Sequence, residues 1–182
     1  MDCFGDHALS CSTLGSYARH NDLRNKFASL CQNAGLRVEV EKGPDGSLER
    51  PADVLVHGLE RSPVAVDFSV VHALQPSSSL ADVHPGRLAA QVERLKRHQN
   101  AALCQRAGWL CQPFAVEAVG AWGGGARYIT QKVVRHWALK HDSSLKEAGI
   151  SCQAVLGSAV LRAVCRQLEW GFPDPMGGAT GL

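Results

Sequence analysis

Apolar and polar positions change period several times along the chain. After His20-Asn21-Asp22, which offers N-cap side chains, Leu23, Phe27, Leu30, Cys31 and Ala34 recur every three or four residues. That spacing predicts an amphipathic helix, and Gly35 stops it. Residues 36–42 alternate, with Val38 and Val40 set against Arg37, Glu39 and Glu41, and read as a strand that ends in the turn Gly43-Pro44-Asp45-Gly46. Two β-branched runs follow, at 52–57 and 64–72, with a turn centred on Glu60 between them. Residues 75–79 read as a loop. Pro85 suits the first turn of a helix whose apolar stripe is Leu88, Val92, Leu95, Ala102 and Leu103, closed by Gly108. Residues 112–119 predict a fourth strand, 120–125 a flexible junction, and 126–141 and 145–170 two further helices, before a frayed tail. Helix, three strands, helix, strand and a helical tail imply an α/β (α+β) domain with a mixed sheet flanked by helices.

Two carboxylates interrupt the apolar runs. Asp53 sits in Pro51-Ala52-Asp53-Val54-Leu55-Val56, and Asp67 in Val64-Ala65-Val66-Asp67-Phe68-Ser69-Val70. Folding the hairpin about Glu60 places Asp53 directly opposite Asp67 on one face. A buried charge is costly, and opposed like charges destabilise a sheet. A hard cation such as Mg²⁺ or Mn²⁺ removes that cost. The competing reading is two strand-end aspartates turned to solvent.

Composition narrows the class. Of the 182 residues, 45% are hydrophobic and 20% charged, as in a globular domain rather than a disordered chain. The net charge of +2 is too small to argue a nucleic-acid partner, so local clusters must carry that case. Seven cysteines without a Cys-x-x-Cys pair, no secretory leader and no apolar run read as long enough to span a bilayer point to a reducing nuclear or cytoplasmic setting without a membrane partner.

Phosphodiester hydrolysis needs charge stabilisation and a group that positions water. Lysine is the usual partner of such carboxylates, yet the position two beyond Asp67 on the same face is Ser69. Lys96 is the best replacement. At ~100° per residue it lies beside Val92 and Leu103 and borders the buried stripe, while Arg94 and Arg97 point elsewhere. Alternatively it snorkels over apolar surface. Arg87, Arg94, Lys96, Arg97 and His98 on this helix, and Arg19, His20, Arg24 and Lys26 near the first, form basic clusters of the kind that meet phosphate backbones, or else solvated faces.

Phe4-Gly5-Asp6-His7-Ala8-Leu9-Ser10-Cys11, Arg19-His20-Asn21-Asp22-Leu23-Arg24, Arg50-Pro51-Ala52-Asp53-Val54, Ala65-Val66-Asp67-Phe68-Ser69-Val70 and Cys104-Gln105-Arg106-Ala107-Gly108-Trp109-Leu110-Cys111-Gln112-Pro113-Phe114 occur in that order. Together, over roughly residues 4–125, they resemble the C-terminal segment of site-specific non-LTR (LINE-type) retrotransposon polyproteins. That segment is similar to a restriction-endonuclease-like nuclease of the PD-(D/E)XK superfamily. The resemblance implies an αβββαβ core over 17–125 and a helical extension over 126–170. It implies metal carboxylates at Asp53 and Asp67, and a lysine moved from the strand to the following helix, at Lys96. The Arg-His-Asn element falls on Arg19, His20 and Asn21. Glu41, a further metal ligand, and Glu117, a supporting group, fall at acidic positions that recur in such sequences. The sequence departs from the pattern in Pro-Ala-Asp for Pro-Asp, and in Asn100 where an aromatic is common. Residues 1–16 resemble a truncated zinc knuckle. Cys3, His7 and Cys11 give at most three ligands, so zinc is not expected.

The expectation is a Mg²⁺- or Mn²⁺-dependent endonuclease domain that nicks DNA. Asp53, Asp67 and Lys96 would be catalytic, with Arg94 and Arg97 among its nucleic-acid contacts. The remainder of a retroelement polyprotein and its RNA are the implied partners. The alternative is an inactive retroelement relic that keeps the fold and at most binds nucleic acid.

Overall fold

The apolar runs after the first helix pair side by side, as their alternation predicts. The computed structural model describes residues 16–41, 43–44, 51–72 and 84–171. The knuckle-like residues Cys3, His7 and Cys11, the loop at 75–79 and the tail beyond 171 lie outside them. The order is α1 (Ser16–Asn33), β1 (Arg37–Val40), β2 (Val54–His57), β3 (Val64–Val71), α2 (Arg87–Arg106), β4 (Leu110–Glu117), α3 (Gly124–Lys140) and α4 (Leu145–Gly171). The strands form one mixed sheet in the order β1-β2-β3-β4. The first two pairings are antiparallel and β3–β4 is parallel, so α2 is the crossover that a parallel pair requires.

The hairpin register is the one expected from the turn at Glu60: Val54↔Val66, Leu55↔Ala65 and Val56↔Val64. Strand alternation then splits the side chains. Val54, Val56, Val64, Val66 and Phe68 enter the main core, with Leu23 and Phe27 of α1, Ile129 and Val133 of α3, and Cys152 and Leu156 of α4. Leu55 and Ala65 face the other way, into a small cluster with Ala52 and Cys104 of α2. At the centre of the main core Phe68 packs against Phe27 and Phe114, with ring centroids 5.3 and 4.8 Å away.

The expectations for Glu41 and for the apolar runs are corrected. Glu41 is not a strand residue. β1 stops at Val40, and Glu41 turns with φ 54°, in the left-handed region. The apolar-run reading also changes. Leu145–Arg166 of α4 has mean hydropathy 1.5 and is long and apolar enough, by length and composition, to cross a membrane. The same segment buries Ala148, Cys152, Leu156 and Val160 in the core.

Two buried glutamates tie helices to the sheet. α2 and α3 begin after Gly86 and Gly123, neither of which has a capping side chain, so their first amides need acceptors from elsewhere. Glu117, at the end of β4, supplies one set: its Oε1 accepts from the N–H groups of Leu88 and Ala89 at 3.2 and 3.4 Å. Glu93, on α2, supplies the other. Its carboxylate accepts from Gly125 and Ala126 at 2.8 and 2.9 Å and from Ala115 of β4 at 3.2 Å. The positive end of each helix favours the charge it receives.

The Gly-Gly-Gly junction is therefore a close approach rather than a flexible joint. A Cβ on Gly125 would lie 2.6 Å from the Pro113 carbonyl oxygen, and one on Gly123 would lie 2.2 Å from Glu93 Oε1, whereas one on Gly124 meets nothing within 4 Å. Gly125→Ala should cost about 1–3 kcal/mol through overpacking. Gly124→Ala should be neutral or slightly stabilising, by up to about 1 kcal/mol. Urea-denaturation midpoints of the two variants check this; equal midpoints would contradict it.

Candidate active site

Burial of Phe68 in the main core sends its neighbours Asp67 and Ser69 to the opposite face of β3. Asp67 is 8% exposed. α2 crosses this face, and residues four apart on a helix lie one above the other. Lys96 Nζ donates to Asp67 Oδ1 at 2.7 Å, and Asn100 Nδ2 donates to Oδ2 at 2.8 Å. The sequence reading noted Asn100 only as a departure from an aromatic pattern; the structure gives it a partner. Ser69, where the more familiar lysine position lies, also lines the cleft.

Asp53 immediately precedes β2. The regular ladder stops at Val54↔Val66, and the Asp53 N–H bonds the Val66 carbonyl at 3.0 Å. Asp53 is thus displaced from strict opposition to Asp67, in a bend at the strand end. Its Oδ2 accepts from the Phe68 N–H at 2.7 Å, and its Oδ1 lies 3.1 Å from His20 Nε2. His20 comes from α1, on the far face, and stands edge-on to the Phe68 ring at 6.5 Å.

The aspartates interact, and their environments push them apart. Burial raises Asp67 above the ordinary carboxylate range; the Lys96 hydrogen bond and charge oppose this, and the neighbouring Asp53 reinforces it. Burial also acts to raise Asp53, but the contacts from His20 and the Phe68 amide, with the charges of His20 and Lys96, outweigh it and hold Asp53 below its usual value. A pair of carboxyls split in this way is the arrangement from which one acid and one base can be drawn.

Asp53, Asp67, Lys96, His20, Asn21, Arg24 and Glu41 all line one open cleft of about 560 Å³. Glu41 reaches it as an ion pair with Arg24. The other expected residues lie elsewhere. Arg19 is buried and does not line the cleft. Arg94 and Arg97 are exposed on α2. Glu117 is 1% exposed, does not line the cleft and binds the start of α2. Glu93 was missed by the sequence reading, although two helices starting at glycine without a capping side chain signal that an acceptor must come from a distant residue.

The donor set fits a hard divalent cation. Two carboxylates face one cleft and carry more lone pairs than their four contacts use. Among the described residues no group of three or more His, Cys, Asp or Glu gathers to hold a metal, and Glu41 pairs with Arg24 instead of joining the aspartates.

The raised Asp67 has a consequence for stability. A carboxyl raised in the folded state favours folding below its unfolded value, and that advantage is lost as pH rises through the folded value. Asp67→Asn removes the penalty. Its unfolding midpoint should equal or exceed the parent's at about pH 7, and the gain should vanish at about pH 3, below the ordinary Asp value of about 3.9. A variant much less stable than the parent at about pH 7 would show that the Lys96 ion pair outweighs burial.

No family model matches the chain, and no curated protein matches it.

Proposed function

We propose that this chain is a metal-dependent endonuclease domain that nicks DNA, with a restriction-endonuclease-like core of the kind borne by non-LTR retrotransposon polyproteins. The observation that carries the reading is the Lys96–Asp67 contact of 2.7 Å, made in the same cleft that holds Asp53. The order helix, three antiparallel strands, crossover helix and parallel strand supports it. So does the way Lys96 takes up from a helix the partner role that Ser69 cannot fill on the strand.

In this reading Asp53 and Asp67 hold Mg²⁺ or Mn²⁺. The ion, when bound, stabilises charge on the scissile phosphate. Lys96 offers its ammonium to a phosphate oxygen and orients the attacking water. His20 fixes Asp53 from behind, and Asn21 and Arg24 meet the backbone of the DNA at the rim of the cleft. Cleavage leaves a nick whose 3′ hydroxyl could prime copying of a retroelement RNA.

A second reading, an inactive relic that only binds nucleic acid, is favoured by one observation: Glu41 is held by Arg24, which leaves Asp53 and Asp67 as the carboxylates offered to a metal among the described cleft residues. Nicking of supercoiled plasmid in Mg²⁺ or Mn²⁺ separates the two. The parent should nick, Asp67→Ala should abolish nicking without unfolding the protein, and Lys96→Ala should slow it by about 10²–10⁴-fold. A parent inactive with both metals leaves the relic reading, and equal rates in all three proteins point to a contaminating nuclease.

A further inference from the structure

A second cavity of about 770 Å³ lies between α3, α4 and the β4–α3 connection. Its chemistry differs from that of the cleft. Arg127, Gln131 and Arg135 recur every four residues and form one exposed stripe of α3 along the cavity. Gln153 of α4 lines it too, as does Trp122, whose ring packs on Phe114 of β4 with centroids 5.7 Å apart. Thr130, 5% exposed, lines the same cavity, and its hydroxyl has no hydrogen-bond partner among the described residues. None of the described lining residues is acidic. Two guanidinium groups with no acidic residue in the described lining favour an oxyanion that can offer two oxygens to one fork, as a phosphate does. An indole and two primary amides add what a base requires: an aromatic group and donor and acceptor groups.

Topology places this cavity relative to the cleft. β3 and β4 are parallel, so their C-terminal ends share one end of the sheet. Val70 and Val71, at the end of β3, line the cleft; Gly120, Ala121 and Trp122, just beyond the end of β4, line the second cavity. A strand running across this sheet end from β2 towards α3 would meet both.

We infer that the α3–α4 cavity is a binding site for single-stranded nucleic acid. Arg127 and Arg135, ~12 Å apart along α3, would hold two phosphates that are not adjacent on the strand, and Trp122, Gln131 and Gln153 would receive an unstacked base. The site rests on the nuclease reading for its ligand class, but it needs neither the metal nor the two aspartates. Single-stranded rather than duplex binding follows from the amides and the indole of the lining, which suit the edge and face of an unpaired base that pairing and stacking would otherwise occupy.

The test is fluorescence anisotropy of a short labelled oligothymidylate with EDTA present, so that no metal contributes. The parent should bind it more tightly than a duplex of the same length. Arg127→Ala/Arg135→Ala should weaken binding by about tenfold or more and lower the slope of log affinity against log salt by roughly 1.4, at about 0.7 per phosphate contact on a single strand. Alanine suits exposed helix positions, so this variant should stay folded. Arg61→Ala/Arg162→Ala, which removes the same charge from exposed positions outside both cavities, should bind as the parent does. Unchanged binding in the Arg127/Arg135 variant, equal losses in both double variants, preference for duplex, or no binding by the parent would each overturn the inference. A parent that binds through Arg127 and Arg135 yet never nicks leaves this site standing while the nuclease reading falls. A parent that nicks while the Arg127/Arg135 variant keeps its affinity does the reverse.

Discussion

Phe68 links the core to the chemistry. Its ring is packed between Phe27 of α1 and Phe114 of β4 and cannot rotate away without opening the centre of the domain. That fixed ring sets three things at once. Strand alternation sends Asp67 to the opposite face, where α2 waits with Lys96 and Asn100. The Phe68 N–H points to Asp53 and holds its carboxylate. The ring edge meets His20, which approaches Asp53 from α1. Two like charges are brought together because apolar burial on the other side of the strand leaves them no alternative, and the lysine, amide and imidazole groups around them offset the cost.

The position of α2 matters as much as that of β3, since Lys96 and Asn100 reach Asp67 only if the helix axis is set correctly. Glu117 and Glu93 set it. Glu117 anchors the first turn of α2 to the end of β4, and Glu93 ties the middle of α2 to β4 and to the start of α3. Each carboxylate is buried and answered by backbone N–H groups at a helix start, where a negative charge is favoured. Gly123 and Gly125 are small because Glu93 and the β4 backbone occupy the space that their side chains would take. The geometry of the cleft is thus maintained by acidic residues that never enter it.

Much of this could be read from the sequence, for identifiable reasons. The hairpin register follows from period-two alternation and a short turn, both local properties, and it led directly to the two aspartates. Lys96 was legible because the helical wheel places it at the border of the buried stripe. Asn100 was not, since its value depends on its being one turn beyond Lys96 and on a strand residue more than thirty positions away. Glu93 looked like one charge in a polar helical stretch; its acceptors are amides that come close only after α3 has folded. Glu41 was read as a strand residue because its polarity fits the alternation, but a left-handed turn ends the strand one residue earlier. The Arg127–Gln131–Arg135 stripe lies in a helix that the sequence reading treated only as an extension.

The central claim is that Asp53 and Asp67 form a divalent-cation site with Lys96 poised beside it. Mn²⁺ binding followed by electron paramagnetic resonance tests this without any need for substrate. The parent should show a stoichiometric Mn²⁺ site that Mg²⁺ competes away. Asp53→Asn/Asp67→Asn should lose it, while Lys96→Ala should keep it or bind more tightly, because an ammonium competing for Asp67 has been removed. A parent that binds no Mn²⁺, or a site that survives loss of both carboxylates, would contradict the account.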